Sequence, residues 1–147
     1  MPISFRVSAT DWLEHTEDEE KWDAKETIKF AKVLAAHGVD FLDVSSGGND
    51  SRQKIKGGPA YQAPFAKAIK EALGDSLIVG TVGAITSGTQ ANQLLEEGLD
   101  AVLVGRMFQK NPGLVWSFAD DLGIELNHAN QIRWGFGGRS AGKMARK

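Results

Sequence analysis

The chain has 147 residues, 41% of them hydrophobic, a formal net charge of −2 and no cysteine. That length holds one core but not two comfortable domains. The charge balance gives no attraction to nucleic acid or a membrane surface, the missing cysteines exclude disulfides, thiol nucleophiles and cysteine-bound metal, and no apolar run nears the ~18 residues of a membrane span. The opening "MPISFRVSAT" lacks a charged region followed by an apolar stretch, so no secretory signal is expected, and a reducing, cytoplasmic setting is.

"ISFRV" (3–7) alternates apolar and polar residues and predicts a short strand. The acidic stretch over 14–20 reads as a solvated loop. In "AKETIKFAKVLAAHG" the residues Ala24, Ile28, Ala31, Leu34 and Ala35 recur at helical spacing, and Gly38 follows as a stop. "FLDV" (41–44) is a second strand ending in "SSGGND", and "SRQKIKGGP" is a loop. "YQAPFAKAIKEALG" predicts a second helix, "SLIVGT" a third strand, "TQANQLLEEG" a third helix and "DAVLVG" a fourth strand. "NPGLVWSFADDLG" supplies a fourth helix, with Pro112 near its first turn. "HGVDFLDV" and "EGLDAVLV" echo one another, each running from a helix stop into a strand. Such alternation predicts an α/β fold with a parallel sheet covered by helices. A closed (β/α)₈ barrel needs eight strands and ~250 residues, so this chain reads as half of something. The half-barrel is expected over 1–126, and the glycine- and base-rich tail over 127–147 is expected to be partly disordered.

Ligands of parallel α/β folds gather at the carboxyl ends of strands. In "VGAITSG", Gly83 and Ala84 are placed to present N–H groups, with Ser87 or Thr89 free to cap the next helix. In "VGRMF", Gly105 leaves room and Arg106 is able to grip phosphate oxygens in pairs. Either turn alone also fits a plain βα connection or a surface ion pair, whereas the two in consecutive units point to one phosphate. Arg6 faces away from its neighbours Phe5 and Val7. It either enters a barrel lumen, where it needs an anionic or carbonyl partner, or lies on a solvated face. His15, His37 and His128 have no metal-ligand spacing, so no metal site is expected. "SSGG" at Ser45 and Ser46 is not a nucleophile elbow, and Trp12, Trp22, Trp116 and Trp134 have packing as their default role.

The blocks "FRVSATDW", "FLDVSSGG", "VGTVGAITSGTQANQLLEEGLDAVLVGRMFQKNP" and "NQIRWGF" together resemble the Old Yellow Enzyme family, the FMN-dependent NAD(P)H dehydrogenases or ene-reductases. The resemblance covers nearly the whole chain and implies the C-terminal half, strands five to eight, of a TIM barrel. It implies that Arg6 reaches the pyrimidine edge of FMN, and that Gly83, Ala84, Gly105 and Arg106 hold its phosphate. The implied parent chemistry moves hydride from NADPH or NADH to FMN, then to an activated alkene of the enone type. The histidine/histidine or histidine/asparagine pair for the substrate carbonyl, and the tyrosine proton donor, belong to the family's other half; Tyr61 lies in the wrong block to replace that tyrosine. Where some relatives carry an arginine that reaches a neighbouring subunit, this chain has Trp134, with Arg133 one residue earlier. No catalytic residue is therefore assigned, and the chain alone is expected to bind FMN weakly and turn over negligibly. The alternatives are half of another phosphate-binding barrel, or a non-catalytic half-barrel that self-associates as a homodimer or complements a separate N-terminal half.

Overall fold

A computed structural model describes residues 1–17 and 21–137. Four strands alternate with helices: β1 (Ser4–Ser8), α1 (Ala24–Ala36), β2 (Phe41–Ser45), α2 (Ala63–Leu73), β3 (Ile78–Val82), α3 (Gly88–Glu96) and β4 (Ala101–Leu103). Three further helices follow, α4 (Arg106–Lys110), α5 (Leu114–Leu122) and α6 (Trp134–Gly137). The strands form one parallel sheet in the order β1-β2-β3-β4.

Register divides the sheet into two faces. Val7, Val44, Thr81 and Val102 form one row across the four strands, and Arg6, Asp43, Gly80 and Ala101 form the row beside it. Alternation along each strand turns these rows to opposite faces. The Val44 row faces the helices, where Leu42, Val44 and Val79 are wholly enclosed with Ala31, Ala66, Ile69 and Leu77. Each large aliphatic side chain buried there contributes about 1.5–3 kcal/mol. Among the described residues no helix packs closely on the opposite face: Ile78, which pairs with Phe41 and shares that face with Asp43, is 50% exposed. Gly80 lies on that face because a Cβ there would sit 2.8 Å from Phe41 Cζ and 3.0 Å from Leu103 Cδ1.

Helix ends follow their local chemistry. Asp23 caps α1 by accepting from the amides of Lys25 and Glu26, and Ser87 caps α3 by accepting from that of Gln90. α1 packs on α2, and α3 on α5.

The expected strand over 100–105 is shorter than its apolar run, because β4 pairs only with β3 and leaves the ladder after Leu103. The expected helix at Pro112 starts at Leu114, since Asn111 accepts from the amides of Gly113 and Leu114 and closes a turn first. α4 lies where the sequence predicts only a strand end. Of the tail, α6 is formed and Phe136 stacks on His128 at 3.9 Å between ring centroids. Residues 138–147, the rest of the tail expected to be disordered, lie outside the described residues.

Candidate functional site

Gly83 and Ala84 follow β3 with φ of +117° and +50°. The glycine is required twice over. Its φ disfavours L side chains, and a Cβ would meet Gln62 Nε2 at 2.7 Å and the Tyr61 ring at 2.9 Å. Ala84 has no such freedom, so the left-handed conformation costs it about 1 kcal/mol. Two glutamines hold it there. Gln62 Nε2 donates to the Val82 carbonyl at 2.7 Å, and Gln90 Nε2 to the Ala84 carbonyl at 3.1 Å. Gln62 is itself buried and accepts from Ser46 Oγ at 2.8 Å, tying the end of β2 to the end of β3. Ile85, 2% exposed, anchors the turn in the core.

The adjacent strand β4 runs out through Val104 and Gly105 into α4. Nothing lies within 4 Å of a Cβ built on Gly105, so the space above it is open. Between the two turns is a cavity of about 640 Å³, lined at one end by Gly83, Ala84 and Thr86 and at the other by Gly105, Arg106 and Lys110. Among the described residues no acidic side chain lines it, and the side chains of Arg106 and Lys110 have no ion pair or hydrogen bond. A concave site of this size with two cations in its lining offers an anion both room and opposite charge.

The structure thus brings together Gly83, Ala84, Gly105 and Arg106. Arg6 is not among the lining residues. It lies on β1, at the far edge of the sheet, where Nε and Nη2 both bond Asp43 Oδ2. Phe5 packs on Phe30 of α1 and Val7 enters the core, so Arg6 occupies the helix-free face and finds its anionic partner within the chain. Sequence reading missed Lys110, Gln62 and Asp43. Lys110 was legible as the residue one helical turn beyond Arg106, once "RMFQK" is read as a helix.

A parallel (βα)₄ sheet with its cavity at the carboxyl ends of two neighbouring strands has the architecture of half a TIM barrel. DHODH from Eimeria tenella, solved in complex with ferulenol, shares the fold at a TM-score of 0.58 and 17% identity, over 82% of this chain and 33% of that one. The family model described as dihydrouridine synthase (Dus) matches residues 18–129, and the chain belongs to that family. It is 51% identical over 145 residues to an NADH:flavin oxidoreductase of Gibberella zeae, covering 94% of this chain and 35% of that protein. An NADPH dehydrogenase of Geobacillus sp. (strain WCH70) is 35% identical over 136 residues, or 92% of this chain and 38% of that protein. The resemblance to the Old Yellow Enzyme family therefore holds, and the chain spans about a third of the length of the curated relatives it matches.

Proposed function

We propose that the chain carries the FMN-holding part of an NAD(P)H-dependent oxidoreductase of the Old Yellow Enzyme type. The observation that carries this reading is the cavity between the ends of β3 and β4, where among the described residues the side chains of Arg106 and Lys110 are unpaired and no carboxylate is in the lining. Gly105 leaves the room a phosphate needs, Gly83 and Ala84 line the cavity with it, and Arg106 supplies charge. Bound FMN would supply hydride transfer between a nicotinamide and an activated alkene such as an enone. Arg6, oriented by Asp43, would stabilise negative charge at the pyrimidine edge of the reduced ring. No described residue is assigned as proton donor, so the chain alone turns over negligibly. The half-barrel is taken as 1–126 and the tail as 127–147, in a cytoplasmic protein.

Equilibrium dialysis of FMN against the purified chain tests this reading. Weak binding, with a Kd of about 10⁻⁵ M or above, lost in Arg106→Gln, is expected. Absence of FMN binding would remove the proposal. NADPH-dependent enone reduction by the chain alone at about 1 s⁻¹ or faster would show that a proton donor has been overlooked.

A second reading, association through the sheet, is favoured by β1 and β4 each having one edge unpaired among the described residues and by Ile78 lying half-exposed on the sheet face away from α1, α2 and α3. A homodimer in light scattering supports it, and a well-folded monomer opposes it.

A further inference from the structure

We propose that residues 47–61 form a strap that opens and closes as one unit across the carboxyl ends of β1, β2 and β3, carrying Tyr61 away from and back onto the turn at Gly83. The motion itself needs no flavin; only its coupling to a bound ligand rests on the reading above.

Both ends of this segment are fixed in the fold. Ser46 and Gln62 are buried, and Ser46 Oγ donates to Gln62 Oε1 at 2.8 Å, so the chain leaves and re-enters at one place. Between them no residue is buried. A segment with joined ends and little apolar anchoring of its own opens locally more readily than the core unfolds. Gly47 N–H bonds the Thr10 carbonyl at 3.2 Å. Beyond it, among the described residues, two backbone hydrogen bonds tie the strap to the turns after β1 and β3. Lys54 N–H donates to the Trp12 carbonyl at 3.2 Å, and Ala60 N–H to the Ala84 carbonyl at 3.4 Å.

Three residues other than glycine hold positive φ among the described residues: Trp12 at +53°, Ala60 at +50° and Ala84 at +50°. Each is a partner in one of those two bonds. A left-handed backbone crowds Cβ against a carbonyl oxygen, and in a bulky residue such as tryptophan it is an outlier. The closed strap thus keeps its two ties by holding three residues in a conformation they can leave once the ties break. Isolated left-handed residues occur in ordinary turns, and one alone would carry no inference. Here they are confined to the two ties of one weakly anchored segment, where strain and bonding oppose each other. Trp12 adds an unmet demand, since its indole Nε1 is shielded from solvent without a hydrogen-bond partner among the described residues. At the other tie the Tyr61 ring lies against Gly83 and lines the cavity.

Amide hydrogen exchange of the purified chain tests the strap, with Ala84→Gly and Ala84→Val as variants outside it. Glycine takes a positive φ freely, whereas a β-branched residue resists it. In the wild-type chain the amides of Lys54 and Ala60 should exchange together, and faster than that of the enclosed Val44 in β2. Ala84→Gly should slow both by about fivefold, and Ala84→Val should speed both by a similar factor. Ala60→Gly, within the strap, should slow exchange at Lys54 as well. A change at Ala60 with none at Lys54 makes the two ties independent and overturns the inference. So does exchange of both amides no faster than that of Val44, which would mean that only global unfolding releases them. Saturating FMN should slow both amides, because a ligand in the cavity holds Tyr61 in place. FMN that binds without slowing either overturns the link to the cavity. Failure of FMN to bind removes the flavin reading instead, and the Ala84 variants then decide the strap alone. Far-UV circular dichroism checks that each variant folds; should Ala84→Val not fold, the two glycine variants carry the test.

Discussion

Arg6 and Asp43 occupy paired register positions on β1 and β2, and the arginine binds one oxygen of a carboxylate that is almost fully buried. The other oxygen, Oδ1, has no hydrogen-bond partner and is shielded from solvent. Arg6→Met leaves a buried charge without its cation. Because the Arg6 side chain is 60% exposed, the expected loss is about 2 kcal/mol, below the 3–5 kcal/mol of a fully enclosed pair. Urea unfolding measures it, and adding Asp43→Asn to Arg6→Met should recover part of the loss.

Gly88 and Gly105 make a matched pair of tests. A Cβ on Gly88 would stand 2.2 Å from the Phe118 carbonyl oxygen, a backbone atom of α5. Gly88→Ala must therefore push α3 and α5 apart, at a cost of ~3 kcal/mol. Gly105→Ala meets nothing and should change stability by less than about 0.5 kcal/mol. Thermal unfolding separates the two, and an equal effect at both positions would mean the α3–α5 contact is not as close as it stands here.

Gln62→Leu should destabilise by about 2–3 kcal/mol, since it strips partners from the Ser46 hydroxyl and the Val82 carbonyl at once. The same change frees the turn at Gly83, so FMN affinity should fall with it. Loss of stability with unaltered FMN binding would separate the glutamine from the proposed site.

Asp23 gives a pH test. The amide of Glu26 bonding its side chain, with that of Lys25, holds the Asp23 carboxyl below its ordinary value of 3.8, burial opposing only in part. A carboxyl depressed in the folded state contributes stability above its unfolded value, and that contribution is lost as pH falls through the folded one. Asp23→Ala should cost ~1 kcal/mol at neutral pH, and this difference should shrink as the solution is taken below 3.8. Urea midpoints of both proteins at several pH values measure it; a constant difference down to the lowest pH would show that the charge is irrelevant to the cap.

Much of the architecture was legible from local pattern. The spacing of Ile28, Ala31, Leu34 and Ala35 sets one helix face, and Arg6 between Phe5 and Val7 sets the two sides of β1. Gly38 and Gly98 take positive φ just beyond α1 and α3, as punctuation after a helix. The four small or basic residues at the strand ends were legible too, because backbone room and a charged side chain are properties of single residues. α4 was not. Five residues directly after a strand carry too little periodicity to separate a turn of helix from a loop, so Lys110 stayed unread.

By itself the sequence determined the alternation of strand and helix, the face each side chain takes, and the candidate residues at the ends of β3 and β4. These follow from backbone sterics acting over a few neighbours. Only the tertiary structure decided that β3 and β4 lie side by side, so that their ends share one cavity, and that β1 lies at the other edge with Asp43 beside Arg6. Strand order and ion pairing join segments tens of residues apart. Packing of the whole sheet against its helices selects those partners, and no local pattern encodes that choice.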